Sequence, residues 1–191
     1  ALDYYGRSLA IQEELGDKAG MGGSLNSIGI VHKNKGDYNK ALDYYGRSLA
    51  IQEELGDKRG MLITLNNIGI VHSNKGDYDK TAEYLEKSFS IQKEIGLKEL
   101  ETTTYLYLSY KHLGKDYDVK EIHSLIKDAE NIEFEVNFRL HQLLEDKSYL
   151  EAAYKQVQDN VSAMDDELAK KFLSYPIPKA IVEEYNKVFK K

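Results

Sequence analysis

The chain contains no cysteine, only 2 prolines, and no apolar run near the length of a membrane span. Without cysteine, neither a disulfide nor a thiolate metal site can form, which fits a reducing compartment. A spanning helix needs roughly 20 apolar residues, so a membrane-spanning segment is excluded, and no signal peptide is visible. Basic charge is not in excess either: 26 Lys and Arg stand against 32 Asp and Glu, for a net charge of −6. That balance argues against nucleic acid or an anionic membrane as the main partner. There is no Gly-rich phosphate loop after a strand, no metal-spaced His/Glu motif, and no alternating pattern that would mark a strand. What remains is 191 residues, 41% of them apolar and 30% charged. This is enough for a sizeable core in a helix-rich chain.

The chain is organised by repetition. Residues 20–57 read GMGGSLNSIGIVHKNKGDYNKALDYYGRSLAIQEELGD, and forty residues later GMLITLNNIGIVHSNKGDYDKTAEYLEKSFSIQKEIG follows. A worn third copy begins near Leu100. Residues 1–18 are letter-for-letter residues 41–58, so the chain opens on half a repeat. It also opens without Met, which reads as a piece of something longer. A period of this length marks a helical array, and an array offers a binding surface rather than a catalytic pocket.

Within one unit, Leu25, Ile28 and His32 fall at helical spacing, and so do Leu42, Tyr45, Leu49 and Gln52. Two amphipathic helices are expected, about 21–35 and 38–55. Gly36 suits the left-handed residue that ends the first. Asp37 is expected to accept from the free amides of the second. Gly56 and Asp57 repeat the pair between units. Turns this short force antiparallel neighbours. Gly29 and Gly69 lie inside helices, where glycine costs about 1 kcal/mol against alanine. Their recurrence predicts a close helix–helix approach, opposite Ala41 and Thr81. Gly6 and Gly46 read as small residues at a crowded site.

The run LNSIGIVHKNKGDYNKALDYYGRSLAI resembles the tetratricopeptide repeat. The resemblance is carried by Leu25, Ile28, Gly29, the ring at His32, Gly36, Tyr38, Ala41, Tyr45 and the small Ser48. Glu53 and Glu54 stand where the ordinary repeat has its proline, and the second helix runs on through Leu55. This is similar to the 40-residue variety of kinesin light chains, spindle-orientation scaffolds and bacterial signalling proteins. The resemblance implies an all-α, right-handed superhelix of nine or ten helices in antiparallel pairs, with a C-terminal capping helix. Its boundaries would be repeats over 1–131 (a half repeat 1–18, then about 19–58, 59–98 and 99–131), a degenerate helix pair over 132–164, and capping helices over 165–191.

In the third unit the helices are expected near 99–113 and 117–131, with one residue missing from the turn LGKDYD. The degenerate pair should occupy 134–145 and 148–164. Pro176 and Pro178 break the chain before a last helix, about 178–190, that buries Ile181, Val182, Tyr185 and Val188. The closing segment resembles the end of the repeat region in bacterial signalling proteins that join such repeats to a cyclase, ATPase or kinase module.

His32, His72 and His112 recur with the period and could suggest a metal ladder. Stacked helices, however, lie about 10 Å apart, while every ligand must come within about 2 Å of one ion. They read as rings packed between helices, and no metal or other cofactor is expected. Neighbouring carboxylates such as Glu13–Glu14 and Asp165–Asp166 point apart on a helix and read as a solvated face, so no enzymatic activity is expected. In the family, the first helices line the concave face. Carried over by position, that face presents Asn26, Ile30, Lys33 and Asn34, then Ile63, Asn66, Ile70, Ser73 and Asn74, then Thr103, Leu106, Tyr110 and Leu113. Asn26 and Asn66 would form a ladder that grips the main chain of an extended peptide. Ile30, Ile70 and Tyr110 would take its apolar side chains. The carboxylate clamp of chaperone-binding relatives needs Lys and Asn where this chain has Ile30 and Ile70.

The expected function is that of a cytoplasmic module binding a protein or extended peptide, as the C-terminal part of a bacterial signalling or scaffold protein. The alternative is the regulatory region of a multidomain enzyme such as a cyclase or kinase. The opening helix lacks its partner, and Leu2, Tyr5 and Leu9 are expected on an uncovered face that favours self-association.

Overall fold

The computed structural model describes residues 2–190; Ala1, which opens the half repeat, and Lys191 lie outside the described residues. Among the described residues there are eleven α-helices and no strand. The chain divides into two compact units, Ala1–Asp116 and Tyr117–Lys191. The division falls in the turn LGKDYD, inside the stretch read from sequence as the third repeat.

The first unit holds α1 (Leu2–Leu15), α2 (Lys18–Lys35), α3 (Tyr38–Leu55), α4 (Lys58–Asn74), α5 (Tyr78–Ile95) and α6 (Leu100–Leu113). Each helix packs on the next. In addition α2 touches α4 and α4 touches α6, which makes the even-numbered helices the tighter, inner layer. The turns show why consecutive helices reverse. Gly16, Gly36, Gly56 and Gly96 close α1, α2, α3 and α5 with positive φ of 67°, 83°, 64° and 72°, conformations that cost glycine nothing. Asp17, Asp57 and Asp77 then start the following helices by accepting from the amides of Gly20, Gly60 and Lys80.

Two expectations change here. Helix α2 starts at Lys18 rather than Met21, because the Asp17 cap organises three residues that carry no apolar signal. Asp37 does not cap α3 with its side chain; its Oδ2 is 3.1 Å from His32 Nδ1 instead.

The core of this unit is built from the period. Leu25 and Ile28 cluster with Leu9, and Ala41 and Tyr45 cluster with Ile68 and Val71. Ser48 and Ser88 let paired helices approach, donating to the carbonyls of Gly22 at 2.8 Å and Leu62 at 3.2 Å. Gly29 does mark a close approach, and the atoms nearest an added Cβ are those of Tyr45 rather than of Ala41. A Cβ there would stand 2.5 Å from the ring of Tyr45, and one at Gly69 would stand 2.5 Å from Leu85 Cδ2 rather than against Thr81. Gly6 and Gly46 have nothing within 4 Å and are exposed, so no crowding explains them.

The opening helix meets expectation only at Tyr5, which is exposed. Leu9 is buried and Leu2 packs against the same cluster, since this side of α1 faces α2. The side chains left in solvent are Tyr4, Tyr5, Ile11 and Leu15.

The second unit holds α7 (Val119–Asp128), α8 (Phe134–Leu144), α9 (Lys147–Ser162), α10 (Asp166–Leu173) and α11 (Pro176–Phe189). Helices α8, α10 and α11 all pack on α9. Their core is Phe138, Leu150, Ala153, Val157 and Ile181, flanked by Val182, Tyr185 and Val188. Pro176 sits at the first position of α11, where proline's missing N–H is no loss. The final helix therefore begins two residues before the expected start at Pro178.

Candidate functional site

The inner layer carries the candidate site, a cleft of about 460 Å³ lined by Ile30, Leu62, Ile63, Asn66, Asn67, Glu99, Leu100 and Glu101. Three of the residues named from sequence meet there: Ile30, Ile63 and Asn66. Ile63 is 50% exposed and offers an apolar surface.

Asn66 is only 6% exposed. Its Oδ1 is enclosed and has no hydrogen-bond partner among the described residues. Burying an amide oxygen unpaired costs about 1–3 kcal/mol, so this is an unusual place to keep an asparagine for stability alone. Asn26 stands one repeat away, half-buried, but it is occupied. Its Oδ1 accepts from Asn67 Nδ2 at 3.2 Å and from Thr64 Oγ1 at 3.4 Å. The two asparagines are therefore not equivalent rungs. Asn26 ties α2 to α4, and Asn66 is left unpaired in the cleft.

The remaining candidates divide. Ile70 is 1% exposed and lines no part of the cleft, while Leu106, 2% exposed, lines a separate cleft of about 330 Å³ with Tyr110. Each lies on an inner helix that packs against its inner-layer neighbour. Ser73 and Thr103 are buried as well. Lys33, Asn74 and Leu113 are half-buried and Asn34 is exposed; none lines the cleft. Tyr110 turns toward α5: its hydroxyl donates to Glu86 Oε1 at 3.0 Å. Burial, followed by the hydrogen bond and charge of Glu86, pushes that phenol up to about 12. The strip expected from Ile30 through Ile70 to Tyr110 is thus interrupted at its middle and turned aside at its end.

The sequence reading missed Leu62, Asn67, Glu99, Leu100 and Glu101. Asn67 adjoins Asn66, and the two acids bracket the start of α6, the only signals that could have found them. Glu99 precedes α6 yet makes no side-chain cap. Its Oε2 accepts from Gln92 Nε2 at 2.9 Å and Thr102 Oγ1 at 3.1 Å.

The recurring histidines lie between helices. His32 and His72 stack on Tyr44 and Tyr84 at 5.6 Å, and His112 stacks on Tyr78 at 3.8 Å. His72 Nδ1 is 3.5 Å from Asp77 Oδ2. Burial lowers its pKa while the Asp77 charge pulls the other way. Among the described residues no three His, Asp or Glu side chains converge as a metal site requires, and no helix is long and apolar enough to cross a membrane.

Comparison with protein-family models matches residues 1–54, and again residues 21–94, to the tetratricopeptide repeat. No curated protein matches the chain.

Proposed function

Because the chain belongs to the tetratricopeptide repeat family, whose repeats mediate protein–protein interaction, we propose that it is a non-catalytic module whose inner face binds an extended segment of a partner protein. The observation that carries the proposal is Asn66. Its carboxamide is nine-tenths buried, lines the cleft and makes no hydrogen bond among the described residues. A carboxamide presents both a donor and an acceptor, the complement of a peptide main chain. The exposed Ile63 beside it supplies an apolar contact. The setting we propose, a cytoplasmic bacterial signalling or scaffold protein, rests on the resemblance of the closing segment.

Panning a displayed library of random dodecapeptides against the full chain tests this reading. Selected peptides are titrated against the wild type and Asn66→Ala. Binding is expected to weaken about fivefold in the variant, for a lost hydrogen bond of about 1 kcal/mol. Melting should be unchanged or raised, because the enclosed oxygen is gone. Failure to select any peptide, or equal affinity for both proteins, removes the groove assignment.

A further inference from the structure

The cleft has one chemical bias beyond its shape. Its charged lining residues are Glu99 and Glu101, and no Lys or Arg lines it. Acids at a helix start are ordinary, since they complement the free amides there. Glu99 is not used in that way. It makes no cap to α6, and both of its hydrogen bonds reach the same oxygen, Oε2, from neutral donors. Neither Gln92 nor Thr102 offsets the negative charge, and Oε1 has no partner among the described residues. The same wall holds the apolar Leu100, and across the cleft stand Ile30, Leu62 and Ile63, with Ile63 half exposed. A volume of about 460 Å³ falls in the range of pockets that enclose a small ligand and holds a few side chains, not a folded domain.

We infer that the partner segment carries a lysine or arginine next to an apolar side chain. The inference rests on the peptide-binding reading above. The apolar side chain lies on the exposed Ile63 and the half-buried Ile30, the cation meets the Glu99 and Glu101 carboxylates, and the main chain between them reaches the Asn66 carboxamide. A carboxylate half withdrawn from water favours such a pair more than one in bulk solvent, and a charge at this wall selects against acidic segments. The overall charge of −6 favours the encounter in the same direction.

The test uses the dodecapeptide library with the 191-residue chain. Expected sequences are enriched in Lys or Arg adjacent to Leu, Ile, Val or Phe, and depleted in Asp and Glu. One selected peptide is then titrated against Glu99→Gln, Glu101→Gln and Glu99→Lys. Gln at position 99 keeps an acceptor for Gln92 and Thr102, so the variant retains the local network. Each neutral variant is expected to bind about three- to tenfold more weakly, and Glu99→Lys more weakly still. Added salt should narrow the difference between wild type and variant. Circular dichroism of each variant confirms that the fold persists, and Glu101→Gln, outside the Gln92 network, decides the matter if Glu99→Gln melts early. Selected peptides that are acidic or neutral, or basic peptides indifferent to both neutral variants, overturn this inference while leaving the groove in place. A library that yields no binder overturns both readings.

Discussion

The ring of Tyr45 lies across the α-carbon of Gly29, so that a methyl group added there would stand 2.5 Å from Tyr45 Cε1. Tyr45 is fully buried. Alanine would gain about 1 kcal/mol in helix propensity, but crowding a packed core costs about 1–3 kcal/mol. With a rigid ring as the neighbour, crowding should win. Gly29→Ala is expected to lower the urea midpoint. A raised midpoint would mean that the α2–α3 pair can separate at little cost.

Gly46 provides the opposite case on the facing helix. It lies in the interior of α3, exposed, with nothing within 4 Å of an added Cβ. Only the propensity term operates there, so Gly46→Ala is expected to stabilise the chain by about 0.5–1 kcal/mol. Urea denaturation of the two variants side by side checks both signs with the same substitution.

The buried His72 predicts acid sensitivity. Burial holds its folded pKa below the ordinary value, about 6.5 for an exposed imidazole. Between the two values the unfolded chain binds a proton that the folded chain does not, so stability falls as pH drops. This contribution is fully present above about pH 6.5 and is lost on descending toward the folded value. In His72→Gln the slope of stability against pH just below 6.5 should flatten, as measured by denaturant titration at a series of pH values. An unchanged slope would show that His72 does not titrate differently in the two states.

The frame of the first unit was legible because its punctuation is chemical. Gly36 and Gly56 can adopt the left-handed conformation cheaply, and they delimit a helix read from sequence as 38–55 and found at Tyr38–Leu55. Where punctuation and periodicity part, the reading slips. Residues 18–20 carry no apolar signal, and Pro176 reads as a break although a helix tolerates it at its first position. The cleft was legible only in part for a different reason. Ile30 and Ile70 occupy the same position in successive units. Ile70 is enclosed while Ile30 is half exposed, and burial depends on neighbours that a single-helix pattern does not include. Glu99 and Asn67 belong to different repeats, and only the packing of α4 with α6 brings them to one cleft.

The duplicated segment provides an internal control for burial. Residues 1–18 and 41–58 are identical, yet Tyr5 is 37% exposed and Tyr45 is 0% exposed. Helix α3 packs on both α2 and α4, whereas among the described residues α2 is the one extensive neighbour of α1. Fully covering one large apolar side chain is worth about 1.5–3 kcal/mol, and Tyr5 lacks much of that cover. Amides in α1 should therefore open more readily than their sequence twins in α3. Intrinsic exchange rates cancel, because the neighbouring residues are the same. Hydrogen exchange followed by NMR, which separates the two copies by chemical shift, should show residues 7–14 exchanging at least about tenfold faster than residues 47–54, for a difference of about 1.4 kcal/mol. Equal protection would mean that the outer side of α1, with Tyr4, Tyr5, Ile11 and Leu15, is covered in solution. Repeating the measurement at lower protein concentration then identifies the cover. Protection that falls on dilution assigns it to a second copy of the chain, and protection that persists assigns it to the same molecule.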